Sequence, residues 1–271
     1  MRRKRSSKPP KVRKASKSPP ALNDPPNDPW PALRQFTAAR IGLPRSGASL
    51  ATAPLLELRL AHARARDAVH ERFDAARLVR ELETLGLPVL TLASAAEDRQ
   101  HYLMRPDLGR RLGEGYSAQL APHAADYDVV FIVADGLSAR AVATHAQPVL
   151  AQTLPRLTTW RIAPLIVVHH GRVAIGDVIA MTLRAHIAVV LIGERPGLSS
   201  PDSIGAYLTW QPTPNTTDAD RNCISNIRPE GLGYADAAFK LAHLLGAMRA
   251  RRLSGVALKD DGDRLLFDEH E

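Results

Sequence analysis

AVVLIGERPGLSSPD (residues 188–202) starts as one kind of structure and ends as another. Its first five residues are apolar, three of them β-branched, with no alternation of polar and apolar positions. A strand of that composition is covered on both faces, as in a parallel sheet. Two more runs read the same way, VVFIV (129–133) and LIVV (165–168). Helical segments are predicted between them, at 138–152 and 177–184. Ser138 is placed as an N-cap of the first. Strand, helix, strand, helix, strand is the repeating unit of a doubly wound fold. The fold class is therefore α/β, a mostly parallel sheet with helices on both faces. A last helix is predicted over 234–251, with Ala238, Leu241, Leu244, Leu245 and Met248 on its apolar face.

The residues before about 113 follow a different period. Leu55, Leu58, Ala61, Ala65, Ala68, Val69 and Phe73 recur at three- and four-residue spacing, one helical stripe, with Thr52 as its expected N-cap. ARLVRELETLG (76–86) ends on a C-cap glycine with Pro88 beyond it. Ser94 and Glu97 form an expected capping box ahead of DRQHYLM. The expected organisation is a basic, Pro-rich tail and linker over 1–31, read as disordered, and a helical domain over 32–112. The α/β domain follows over 113–256, and a charged end over 257–271.

A chain of 271 residues can bury roughly 70–75% of the surface its unfolded form exposes, with 45% hydrophobic and 24% charged residues. The net charge of +8 is unevenly spread. Residues 1–20 hold nine of the 36 Lys and Arg and no acid, which leaves 27 basic against 28 acidic side chains in the rest. The folded body is thus almost neutral, whereas a nucleic-acid-binding domain carries a basic face. Only the tail could serve nucleic acid. The single cysteine, Cys223, excludes an intramolecular disulfide and any Cys-based metal cluster and fits a reducing, cytoplasmic setting. Apolar runs stop at about seven residues, far short of the ~20 that span a bilayer, and the basic N-terminus lacks the apolar core of a secretory signal.

Ligands of an open α/β sheet bind beyond the carboxyl ends of its strands. The loops there read ADGLS (134–138), HHGRVAIGD (169–177) and GERPGLSSPD (193–202), and a parallel sheet gathers all three on one edge. A strand ends in glycine and charge where backbone must come close to a ligand. No GxGxxG or GxxxxGK[ST] follows a strand, which excludes the standard nucleotide cradles. Asp135 and Ser138 invite a hydrolase reading without a GxSxG elbow. Cys223 could act as a nucleophile, though no base is marked for it. His169 and His170 are adjacent, so within one strand they point to opposite faces and cannot chelate one metal. His62 and His70 lie on an Arg-rich helix (Arg59, Arg64, Arg66) that is either a partner contact or a solvated face. Glu194 and Arg195, pinned by Pro196, form the most pointed pair. Two alternatives stand: a stand-alone α/β enzyme using Asp135, Ser138 or Cys223, and a nucleic-acid-binding protein acting through its tail.

Six stretches taken together resemble a known family: RQFTAARIGLPRSG (34–47), HARARDAVH (62–70), YLMRPDLGRRL (102–112), VADGLSARAV (133–142), VVLIGERPGLSSPDSIGAYLTW (189–210) and DADRNCISNIRPEGLGYADAA (218–238). They resemble the small (light) subunit of ethanolamine ammonia-lyase. The resemblance implies an adenosylcobalamin-dependent carbon–nitrogen lyase that converts ethanolamine to acetaldehyde and ammonia by a radical route. It implies a large, TIM-barrel catalytic subunit as hetero-oligomeric partner and no activity from the small chain alone. It further implies a Rossmann-like C-terminal part and cobalamin held between the subunits, with no catalytic residue and no metal ligand on this chain. The cofactor-binding residues it implies are Val173 of GRVAIGD, Glu194 of GERPG and Cys223 of RNCISN. Glu194 would accept hydrogen bonds from the amide rim of the corrin. Some relatives carry an N-terminal amphipathic helix for loading into a bacterial microcompartment. Residues 1–20 have too few apolar side chains for that, so encapsulation stays open.

Overall fold

A computed structural model describes residues 30–260 except Ala38. The basic tail and most of the charged C-terminal end lie outside the described residues. The described residues divide into two compact units, one ending at Leu56 and the other beginning at Glu57.

The first unit contains helix α1 (Trp30–Arg34) and a two-stranded hairpin, β1 (Arg45–Ser46) and β2 (Ser49–Leu50). Arg34 donates to the carbonyls of Ile41 and Gly42, closing the loop between helix and hairpin. Gly47 turns the hairpin at φ +61°, a value glycine adopts without strain. Helix α2 (Thr52–His70) begins here, with Thr52 as its first helical residue rather than its cap.

The second unit is built on a six-stranded sheet. Its strands are β3 (Val89–Ala93), β4 (Tyr127–Ala134), β5 (Leu165–His169), β6 (Ala185–Gly193), β7 (Ile204–Trp210) and β8 (Arg221–Ile227). Their order is β3-β5-β4-β6-β7-β8; the first four run parallel, and β7 and β8 each pair antiparallel with their neighbour. The α/β class and the mostly parallel sheet are as expected. The three strands read from the sequence are its centre, and three more flank them.

The burial pattern explains the composition. Successive residues of β4 enter opposite cores, as the pleat requires. Val129, Phe131 and Val133 pack with Leu78 and Leu82 of α3 (Ala75–Glu83), Val142 and Leu150 of α6 (Ala139–Thr153), and Leu241 and Leu245 of α8 (Tyr234–Arg251). Val130, Ile132 and Ala134 pack on the other face with Ile175, Ile179 and Leu183 of α7 (Ile175–Leu183). Gly176 lets α7 lie close on the sheet, for a Cβ there would come within 2.4 Å of Val190.

Two local expectations are corrected. Asp98, not Ser94, caps α4 (Arg99–Met104), accepting from the His101 N–H at 2.8 Å; Ser94 Oγ accepts from Ala96 instead. The segment before 113 is not helical throughout, since β3 joins the sheet beside β5 and α5 (Tyr116–Leu120) follows only later. The cap at Ser138 is as expected: its Oγ accepts from the Ala141 N–H at 3.3 Å.

Candidate functional site

The three strand-end loops do share one edge, and the contacts between them are specific. The Leu137 N–H, in the turn after β4, donates to Gly193 O at the end of β6 (2.8 Å). Gly136 and Gly193 permit this approach. A Cβ on Gly193 would lie 2.2 Å from Ser138 O, and one on Gly136 would lie 2.4 Å from Gly193 O. These glycines therefore bring backbone to backbone rather than backbone to ligand, which differs from the expectation drawn from the sequence.

Beyond Gly193 the chain is strapped down. Glu194 N–H bonds Ser203 O at 3.0 Å, and Gly197 N–H bonds Ser200 O at 2.8 Å. Ser138 Oγ donates to Pro201 O at 3.3 Å. The Glu194 carboxylate accepts from Ser203 Oγ at 2.5 Å and from the Asn226 N–H at 3.2 and 3.3 Å. It thus ties the β6 loop to the end of β8. An ionised carboxylate has about four acceptor positions, so capacity remains for a ligand. The charge pair at the head of the loop is not an ion pair in function: Glu194 is anchored and half-buried, while Arg195 is exposed.

Glu194 and Arg195 line a pocket of about 460 Å³ together with Val173 and Arg172 from the β5 loop, Tyr207 of β7 and Tyr102 of α4. Val173 and Glu194, named from sequence, thus meet in one cavity. Cys223 lies beside it: its register partner on β7 is Tyr207, and the phenol and thiol interact across the two strands. Cys223 is exposed, yet crowding by neighbouring atoms pushes its thiol up. Burial pushes the Tyr207 phenol up, reinforced by Cys223 and the Glu194 charge.

Behind the pocket stands a group that sequence reasoning missed. Arg172 stacks on the Tyr102 ring, its guanidinium 4.3 Å from the centroid, and Arg99 approaches the same ring at 5.0 Å. Tyr102 is fully buried and donates to Gly171 O at 3.3 Å; burial raises its phenol to about 12. Arg99 also donates to Gly136 O at 2.6 Å and reaches Asp135 at 3.4 Å. Asp135 is 1% exposed, and that burial raises its carboxyl to about 6 against the pull of Arg99. Only YLMRPDLGRRL, in the resemblance, hinted that residues 102–112 mattered here.

The alternative nucleophiles hold structural posts. Ser138 is fully buried and engaged in its cap and in the loop at Pro201. Asp135 serves Arg99. His169 is the last residue of β5, and His170 is already in a left-handed turn (φ +55°), so the pair does not share a strand. Burial lowers both imidazoles. No cluster of three metal-ligating side chains occurs among the described residues. A larger cleft of about 750 Å³ near α3 and α6 has its charges paired with one another, Arg77 with Glu81 and Arg140 with Glu71.

Fold and site together define an α/β protein with a pocket at the carboxyl edge of a mostly parallel sheet. A family model described as "Ethanolamine ammonia-lyase light chain" matches residues 27–259. Curated relatives named "Ethanolamine ammonia-lyase small subunit" agree. The one from Xanthomonas campestris pv. campestris (strain ATCC 33913) is 54% identical over 249 residues, 90% of this chain and 92% of the relative. That from Azotobacter vinelandii is 53% identical over 247 residues, 89% and 92%. That from Pseudomonas aeruginosa (strain LESB58) is 51% identical over 247 residues, 89% and 90%. The chain belongs to the ethanolamine ammonia-lyase light-chain family.

Proposed function

We propose that this chain is the small subunit of an ethanolamine ammonia-lyase, which with a large TIM-barrel subunit converts ethanolamine to acetaldehyde and ammonia. In this reading it is inactive alone and contributes one wall of the adenosylcobalamin site. Membership in the family supports the activity. The pocket holding Val173 and Glu194 beside Cys223 is the observation that carries the cofactor role.

The residues fit such a group. Tyr207, Val173 and Ile192 give a partly apolar floor, which suits a broad corrin. Glu194 supplies fixed acceptors, and the corrin rim carries carboxamides whose N–H groups can donate to them. When bound, the cofactor supplies the radical chemistry, and the protein's share is binding and orientation. Glu194 is suited to orientation because Ser203 and Asn226 hold its carboxylate before any ligand arrives, which lowers the ordering cost of binding. No helix among the described residues is long and apolar enough to cross a membrane.

The test is co-production with the large subunit. The complex is titrated with adenosylcobalamin by absorbance, and ammonia and acetaldehyde are assayed. Turnover should require both chains and the cofactor. Glu194→Ala should weaken cofactor binding by about tenfold while the complex still assembles. Lyase activity of the purified small chain alone, or an unchanged titration for Glu194→Ala, would overturn the reading.

A further inference from the structure

Arg172 is placed with unusual care for a side chain that makes no ion pair among the described residues. Its stem crosses Gly109, where a Cβ would lie 2.8 Å from Arg172 Cγ. Its guanidinium stacks on Tyr102, and Nη2 donates to Tyr102 O at 3.3 Å. Its backbone N–H bonds Gly109 O at 2.8 Å. Glycine below and aromatic ring beside it hold the group in one pose. Yet its Nε is buried and has no hydrogen-bond partner among the described residues. A buried donor on a charged group is costly to leave unmet. Among the described residues no carboxylate pairs with it: Asp135 reaches Arg99 instead, and Glu194, which lines the same pocket, is bonded to Ser203 and Asn226. The pocket therefore presents, beside Val173, a fixed guanidinium with no ion pair of its own among the described residues.

We infer that Arg172 receives the phosphodiester of the cofactor's nucleotide loop and so acts as a specificity-determining residue for complete corrinoids. This rests on the proposed cobalamin role of the pocket. The corrin amides and the adenosyl group are neutral, so the phosphodiester is the one anionic group the cofactor offers. Arginine meets such oxygens with paired, charge-assisted hydrogen bonds, and a stacked guanidinium gives up little freedom in doing so. Tyr102 is the positioning residue, acting through Arg172.

The experiment uses the complex with the large subunit and three probes: adenosylcobalamin, adenosylcobinamide phosphate and adenosylcobinamide. Only the last lacks the phosphate. Binding is read by absorbance titration, independently of turnover. Arg172→Ala should weaken the first two by about tenfold to a hundredfold and leave adenosylcobinamide unchanged. Arg172→Lys keeps the charge without the planar fork and should fall between, which guards against a variant that fails to fold. Equal weakening of all three probes would make Arg172 a structural support of the pocket lip, and no weakening would remove it from the site. Either result overturns the inference while leaving the proposed function standing. A native complex that binds none of the probes would overturn both.

Discussion

The closed half of the sheet, around β4 and β6, and its open edge at β8 are built on opposite terms. In β4 and β6 nearly every residue is buried, with alternate side chains entering separate cores. In β8 the pattern is interrupted: Cys223, Ser225 and Asn226 are exposed while Asn222, Ile224 and Ile227 are buried. The first half has helices on both faces, whereas along β8 the cover runs out on one face. Burial thus concentrates where the sheet is closed, and the proposed cofactor wall lies where it opens, on the side of Tyr207 and Cys223.

The sharpest way to break this contrast is a cavity in the closed half. Phe131 is fully buried in the core with α3, α6 and α8. Phe131→Ala should cost about 3–5 kcal/mol in urea denaturation. A loss below about 1 kcal/mol would mean that stability does not reside there.

A second test uses pH at the boundary of the closed half. Asp135, at the end of β4, ionises near 3.8 in an unfolded chain but at about 6 in the fold. The folded state therefore keeps its proton longer, and stability falls as pH rises from about 4 to about 6. The total is roughly 3 kcal/mol. Asp135→Asn removes this dependence, so the variant should exceed the native protein in stability at pH 7.5 and match it at pH 4. Denaturation series across that range check it; a native protein that gains stability over the same window, relative to the variant, contradicts the assignment.

The smallest effect belongs to the open edge. Cys223→Ser should change stability by under about 0.5 kcal/mol, as surface substitutions do. A loss beyond about 2 kcal/mol in thermal unfolding would show that this face is closed like the other.

The same contrast decides what the sequence discloses. β4, β5 and β6 were legible because strands covered on both faces must be apolar throughout. β8 was not, because RNCISNI reads as a polar loop. Its Arg221 is buried only because Asp177 of α7, 44 positions earlier, meets it with two bonds of 2.7 Å, and Thr209 adds a third. No local pattern signals such a pair. β3 escaped notice as five residues, partly exposed, amid helical periodicity. Of the site, Glu194 was legible from its place after a buried strand. Val173 and Cys223 came only through resemblance. Tyr207, Tyr102 and Arg172 were missed because each gains its role from a distant neighbour: Tyr207 across a strand pair, Tyr102 and Arg172 through a stack between α4 and the β5 loop.

Gly136 and Gly193 carry one more consequence. Each occupies the space that a side chain on the other's turn would need, so neither can gain a carbon while the other turn stays put. The ends of β4 and β6 are in effect a single hinge-less plate under the pocket. A change at either glycine would be felt at both loops together, and the pocket wall can be varied only at the margins of that plate, at positions such as 172, 195 and 207.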